Sequence, residues 1–460
     1  MADLAAALSK ADSNLSSSLD RLSELVRIKS ISTDPAFAAE CRRAAEWLVD
    51  SLTGLGFAAS ARDTEGHPMV VAHHDGPDGA PHVLFYGHYD VQPVDPLELW
   101  TSDPFDPSIK ELSPGRKVIT GRGTSDDKGQ LLTFVEACRA YKETNGELPC
   151  RVTILFEGEE ESGSKSLQPF LEAHAEELKA DLAMVCDTGM WDAQTPAISV
   201  SLRGLTGEEV TIKAASRDLH SGHYGGNAAN PIHILSRILG EMHDENGRVT
   251  IPHFYDGVYE TPDNIKAMWE RLGAPKNFLE DVGLSVPSGE KDRTILERAW
   301  ARPTAEVNGI TGGYTGEGFK TVIAAEASAK VSFRLVGDQD PYAVRENFRA
   351  FVKERLPADC SAEFAEHGTS GSIQLSYDSP ALGKAAAVLE EEWEKPTAII
   401  GMGGSIPIVG DFQSKLGMDS LLVGFALEDD CIHSPNEKYD VRSFHKGIRS
   451  WVRIMDALAH

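Results

Sequence analysis

Five separated stretches of the chain carry imidazole and carboxylate groups of the kind that hold divalent cations. They are Gly87-His88-Tyr89-Asp90-Val91, the run Gly121 to Gly129 with Asp126 and Asp127, the run Glu157 to Ser164 with Glu159, Glu160 and Glu161, then Asp187, and finally Asp429, Asp430 and His433. Together they offer nitrogen and oxygen ligands with no required thiolate, the donor set that Zn²⁺ or Mn²⁺ prefers. Each has an ordinary reading when taken alone. A single histidine is as often structural, an acidic pair entering a helix suits the helix dipole, and a charge run is commonly a solvated turn. Crowding carboxylates at one strand end is nevertheless unfavourable unless water or cations compensate. A nucleotide loop is disfavoured because 121–129 matches neither GxxxxGK[ST] nor GxGxxG. The register inside two runs stays open: Asp126 against Asp127, and Glu160 against its acidic neighbours.

The elements around these residues explain why they belong together. Short apolar runs at Val83 to Tyr86, Val152 to Phe156, Leu182 to Cys186 and Leu421 to Phe425 have the length of buried strands, and each is followed closely by acid or histidine. Open α/β sheets bind ligands beyond the carboxyl ends of their strands, where such loops converge. Leu15, Leu19, Leu22 and Val26, then Ala44, Ala45, Leu48 and Leu52, recur at helical spacing and predict core-facing helices. From about Thr206 the pattern changes. Val210, Ile212 and Ala214 alternate, as do Val331, Phe333 and Leu335, which predicts half-buried strands. A helix is predicted from Pro341 with Asp340 as N-cap, another from Pro231 through Met242, and residues 251–305 read as an insertion. The fold expected is α/β, with domains at 1–205, 206–377 and 378–460.

Length and composition bound the remaining possibilities. At roughly 100–200 residues per domain, 460 residues make two or three domains. A composition 41% hydrophobic and 25% charged is that of a globular chain rather than a disordered one. The net charge of −27 argues against electrostatic capture of nucleic acid or anionic lipid. Six cysteines without a CxxC pair favour neither a disulfide scaffold nor a zinc finger, and with no export signal or long apolar run the expectation is a cytoplasmic protein with no membrane span.

As a set, the strings GHYDVQPV, GRGTSDDKG, EGEEESGS, VCDT, DLHSGHYGG, SFRLV and IHSPNEKYD resemble, in order and approximate spacing, the metallopeptidase family of carnosinases, cytosolic dipeptidases, acetylornithine deacetylases and succinyl-diaminopimelate desuccinylases. The resemblance runs from about residue 20 to the end and is strongest to the carnosinase-like dipeptidase branch. It implies a mixed-sheet zinc-peptidase catalytic domain made from both ends of the chain, with an inserted α+β lid and dimerisation domain. By the same resemblance His88, Asp126 and Asp187 hold one metal and Asp126, Glu161 and His433 the other, the ions being Zn²⁺, with Mn²⁺ or Co²⁺ as alternatives. Three carboxylates and a bridging hydroxide sum to a formal charge of about −4, which balances two divalent ions. The resemblance makes Glu160 the general base that takes the proton of the bridging water to give that hydroxide, and has Asp90 orient His88. The resemblance also implies that His220 stabilises the oxyanion from across a homodimer interface with help from Thr321. It further implies that Arg334 binds the substrate carboxylate, assisted by backbone N–H groups at Gly404 and Ser405.

One departure from the branch touches substrate choice. An Arg-Glu pair usually precedes Gly-Gly-Ser-Ile-Pro, whereas this chain has Gly401-Met402. The expected substrate is a dipeptide or short peptide with a free C-terminal carboxylate. The alternatives are an amidohydrolase of N-acyl or N-carbamoyl amino acids and, from another class, a non-catalytic binding protein.

Overall fold

The structure is a computed structural model that describes residues 3–273, 278–404 and 406–460. The chain divides into two compact units, one of residues 1–199, 375–399 and 411–460, the other of residues 200–374 and 400–410.

In the first unit the apolar runs become the middle of a mixed sheet. Strand His82–His88 pairs in parallel with Arg151–Glu157 on one side and Leu182–Val185 on the other, and Leu182–Val185 pairs in parallel with Ser420–Leu422. Met69–His74 and Ala58–Arg62 extend the sheet antiparallel at one edge, and Leu422 pairs antiparallel with Ser199 at the other. Strands buried on both faces need apolar side chains throughout, which is why these runs are continuous rather than alternating. Phe85 stacks on Phe134 of helix Lys128–Asn145 at 3.8 Å between centroids, and both meet Trp451 of helix Val441–Ala459 edge-on. Trp451 donates its indole N–H to Thr133, so this aromatic core leaves no polar handle unpaired.

The last predicted strand is shorter than its apolar run. Val423 still donates to the Val185 carbonyl, but at Gly424 the backbone comes so close to Thr188 that a Cβ would lie 1.9 Å from its carbonyl oxygen. The ladder therefore stops at Leu422, and Phe425 N–H turns to the side chain of Gln130.

The second unit is an antiparallel sheet in the order Thr304–Gly312, Glu326–Leu335, Gly204–Lys213, Ser361–Ser370. Its buried face carries Val210, Ile212, Val331 and Phe333 against Ile234 and Ile238 of helix Pro231–Gly240 and Phe348 and Val352 of helix Pro341–Lys353. Asp340 caps the latter by accepting from Tyr342 N–H, and Asn230 caps the former, which ends at Gly240, two residues before Met242. Residues 251–305 contain helices Asp263–Leu272 and Ile295–Trp300, the second closed by a Thr294–Glu297 capping box. The segment 400–410 belongs with this unit. Gly401 packs so tightly that a Cβ would meet Ser201 Oγ and Trp300 Cβ at 2.6 Å. No helix among the described residues is long and apolar enough to cross a membrane.

One buried charge group fastens helix to sheet here. Glu208, fully buried, lies 2.9 Å from Arg345 Nε and accepts from Arg349 at 2.8 Å. Removing one partner of a buried ion pair strands the other charge, so Glu208→Ala is expected to cost about 3–5 kcal/mol, read as a lower urea midpoint. A stability within about 1 kcal/mol of wild type would mean that water reaches Arg345 and replaces the carboxylate.

Candidate metal centre

The four parallel strands deliver their following residues to one crevice of the first unit. His88 ends its strand fully buried. Its Nε2 lies 3.0 Å from Asp126 Oδ1, while Nδ1 faces Asp90, 3.3 Å from Oδ1 and 3.2 Å from the carbonyl. The other oxygen of Asp126, Oδ2, lies 2.8 Å from His433 Nε2, and that same nitrogen is 3.1 Å from Glu161 Oε2. Asp126 thus offers one oxygen to each imidazole. Two groups of ligand atoms, each within 4.8 Å, share it: His88, Asp126 and Asp187, and Asp126, Glu161 and His433.

Asp90 joins the two sides of the crevice. Its carboxylate accepts the peptide N–H of Glu160 at 3.3 Å and of Glu161 at 3.0 Å while facing the His88 ring, so the acidic turn Glu160–Ser162 is tied to the strand that ends in His88. Glu160 itself is in neither ligand group. Burial pushes its carboxyl upward; the nearby His88 opposes the shift, and Glu161, Asp90 and Asp126 add to it.

The consecutive acids 126 and 127 have different surroundings. The peptide between them is cis. Asp127, fully buried, accepts His88 N–H at 3.0 Å and the Cys186 thiol at 3.4 Å, and burial raises its carboxyl well above the usual range. Gly87 makes that approach possible, since a Cβ there would be 2.7 Å from Asp127 Oδ2. Asp429 and Asp430 lie apart from the cluster. Lys438 bonds both, Arg116 bonds Asp429, and Ser125 donates to Asp430, so their charge is already compensated.

Two contributors had no counterpart in the sequence reading. Gln92 donates to Glu161 Oε2 at 2.7 Å and fixes that carboxylate. Glu437, fully buried, accepts from the N–H groups of Gly123, Ser125 and Asp126 and from Arg122, clamping the loop that presents Asp126. Both lie inside quoted motifs, Gln92 four residues after His88 and Glu437 four after His433, which was the available signal. His433 has φ +58° within a loop where Cys431 and Asn436 are also left-handed. A non-glycine residue in that region costs energy and is found where function fixes a side chain.

Charge also favours ions here. Asp126 is held below the usual carboxylate range by the two imidazoles despite its burial; Asp187 is pushed up by burial and then by the charge of Asp126. Hydrogen bonds to Asp126 and Glu161 raise His433 to about 10. Protons on imidazole here offset the negative charge that divalent cations would neutralise more completely. The donor set, its spacing and this unbalanced charge all fit a pair of such ions.

The remaining expected residues lie in the second unit. His220 is exposed, pairs with Val322 in a two-stranded ribbon, and accepts Gly222 N–H on Nδ1 at 3.0 Å. Nδ1 as acceptor leaves Nε2 as the protonated nitrogen of the neutral ring. Thr321 stands beside it, its carbonyl accepting Ser221 N–H. Arg334 lies half-buried in strand Glu326–Leu335. Gly404 has open space where a Cβ would be, and Ser405 lies outside the described residues.

Comparison with known proteins gives a consistent set of relatives. The sequence model of peptidase family M20/M25/M40 matches residues 84–457. The Cys-Gly metallodipeptidase of Schizosaccharomyces pombe is 31% identical, with 95% of each chain covered. The human Beta-Ala-His dipeptidase is 27% identical over 93% of this chain and 87% of its own. Among solved structures, the M20 family metallo-carboxypeptidase Sso-CP2 of Sulfolobus solfataricus superposes with a TM-score of 0.76 at 29% identity, covering 96% of this chain and 99% of that one.

Proposed function

Because the chain belongs to peptidase family M20/M25/M40, we propose that it is a di-zinc dipeptidase, hydrolysing the amide bond of dipeptides or short peptides with a free C-terminal carboxylate. Its similarity to Cys-Gly and Beta-Ala-His dipeptidases along nearly its whole length supports that substrate class. The observation that carries the reading is the shared Asp126, with one oxygen toward each imidazole and a place in both ligand groups.

His88, Asp126 and Asp187 would hold one zinc and Asp126, Glu161 and His433 the other. Such ions supply Lewis-acid polarisation of a carbonyl and a lowered pKa for water. The chain's own groups do the rest. Asp90 fixes the His88 ring, and Gln92 fixes Glu161. Glu160, free of ligand duty, takes the proton of the attacking water and returns it to the leaving nitrogen. His220 donates from Nε2 to the oxyanion. Arg334 pairs with the substrate's carboxylate, a natural task for a guanidinium fork, with Thr321, Gly404 and Ser405 assisting.

The test is a substrate panel run after chelation and after controlled return of zinc, manganese or cobalt. Cleavage of Ala-Gly type dipeptides that disappears on chelation and returns best with zinc is expected. Selective cleavage of N-acetyl or N-carbamoyl amino acids would transfer the reading to the amidohydrolase alternative, and a metal-loaded chain inert to the whole panel would leave a binding protein.

We also read the second unit as a lid and dimerisation domain that lends His220 and Thr321 to the partner's site in a homodimer. Ile310 on the outer strand Thr304–Gly312, and Tyr314 and Phe319 between it and the Val322–Ile323 strand, are exposed apolar surface that a second copy would cover. Mixing inactive His220→Ala and inactive Glu160→Gln subunits is expected to restore activity in heterodimers. Verified heterodimers that stay inactive would mean that His220 serves its own subunit. A cytoplasmic location is supported by the six cysteines, which form no disulfide among the described residues.

A further inference from the structure

Buried arginines of the second unit are paired. Arg345 and Arg349 meet Glu208, and Arg302 meets Glu290 at 2.6 Å. Arg203 and Arg334 depart from this. Neither guanidinium makes a hydrogen bond or ion pair among the described residues, and Arg203 Nε is buried without an acceptor. An unpaired cation withdrawn from water is costly, and such a cost is kept where a ligand removes it.

The strand register brings the two together. Arg334 is paired with Leu205 on one side and with Thr304 on the other. Strand Gly204–Lys213 begins with Gly204 opposite Leu335, so Arg203 stands just outside the end of the ladder whose last steps include Arg334. Arg203 and Arg334 therefore lie at the same end of this strand pair. Burial lowers the proton affinity of Arg203, and the charge of Arg334 lowers it further, with Glu306 opposing. The glycine loop closes on the same guanidinium. Arg203 N–H donates to the Met402 carbonyl at 3.3 Å, and a Cβ on Gly403 would lie 3.1 Å from Arg203 Nη2.

One substrate carboxylate balances one guanidinium. With Arg334 assigned to the C-terminal carboxylate, the second cation still lacks an anion. We propose that Arg203 is a specificity-determining residue that binds a carboxylate on the side chain of the substrate's C-terminal residue, so that the enzyme prefers dipeptides ending in aspartate or glutamate. This rests on the dipeptidase reading given above.

The test compares kcat/KM of the zinc-loaded protein for Ala-Asp against Ala-Asn and for Ala-Glu against Ala-Gln. Acid over amide is expected by roughly tenfold or more, the worth of a charge-assisted contact. Arg203→Met collapses both ratios toward one, mainly through KM for the acids, and Arg203→Lys keeps part of the preference. Wild-type ratios near one, or an Arg203→Met protein that loses activity equally on all four substrates, would overturn the proposal. If no dipeptide is cleaved at all, the dipeptidase reading is what has failed. The anion site is then read from thermal stabilisation by N-acetylaspartate over N-acetylasparagine, expected in wild type and absent in Arg203→Met. Equal stabilisation by the two compounds would overturn it.

Discussion

Glu160→Gln is expected to lower kcat for a dipeptide such as Ala-Gly by about 10²–10⁴-fold, the usual worth of a positioned acid–base group, while the protein still binds two ions. Glutamine has nearly the same size, and the peptide N–H of residue 160 continues to bond Asp90, so the turn that presents Glu161 is undisturbed. What disappears is an oxygen able to accept a proton from water and release it to the leaving amine. Residue 160 stands outside both ligand groups, so metal stoichiometry measured on the purified variant should equal that of wild type. A kcat within tenfold of wild type at full metal content would remove Glu160 from the chemistry and turn attention to another acid in the run.

The candidate ligands were legible in the sequence because strand ends are. An apolar run fixes where a strand stops, and the polar residue that follows must face the crevice, so His88, Asp187 and the Glu160–Glu161 turn could be proposed from pattern and motif. Two kinds of information were not legible. One is which of two adjacent acids faces the cluster: Asp126 and Asp127 are the same residue type, and their roles separate through contacts with His88, His433 and Cys186 from distant parts of the chain. The other is the supporting shell. Glu437 clamps the Asp126 loop from 311 positions away, and Arg203 becomes notable through partners it lacks rather than a motif it completes. Asp429 and Asp430 show the reverse error. Their position after a strand suggested ligands, but Lys438, within the same stretch of chain, had already neutralised them. The run 421–425 looked like five strand residues because apolarity reports burial, whereas Gly424 is buried against another backbone instead of in the ladder.

Asp126→Asn should separate the two neighbouring acids more sharply than any other change. Each oxygen of Asp126 lies within hydrogen-bonding distance of a different imidazole, and both ligand groups depend on it, so the amide removes a full negative charge from each. Residues that merely orient a metal ligand are worth about 10–100-fold in affinity; a shared ligand should cost more than about 100-fold and bring the bound metal from two ions to less than one, with activity below detection at equal zinc. Asp187→Asn, in one group only, should keep the other ion. Asp127→Asn provides the contrast. Burial pushes its carboxyl upward, and its visible work is to accept His88 N–H and the Cys186 thiol, which an amide oxygen also does. That variant should retain two ions and unfold within about 1–3 kcal/mol of wild type. Loss of metal from Asp127→Asn together with retention by Asp126→Asn would reverse the assignment of the pair, because it would mean that the buried neighbour, and not the acid between the two histidines, carries the charge the cations need.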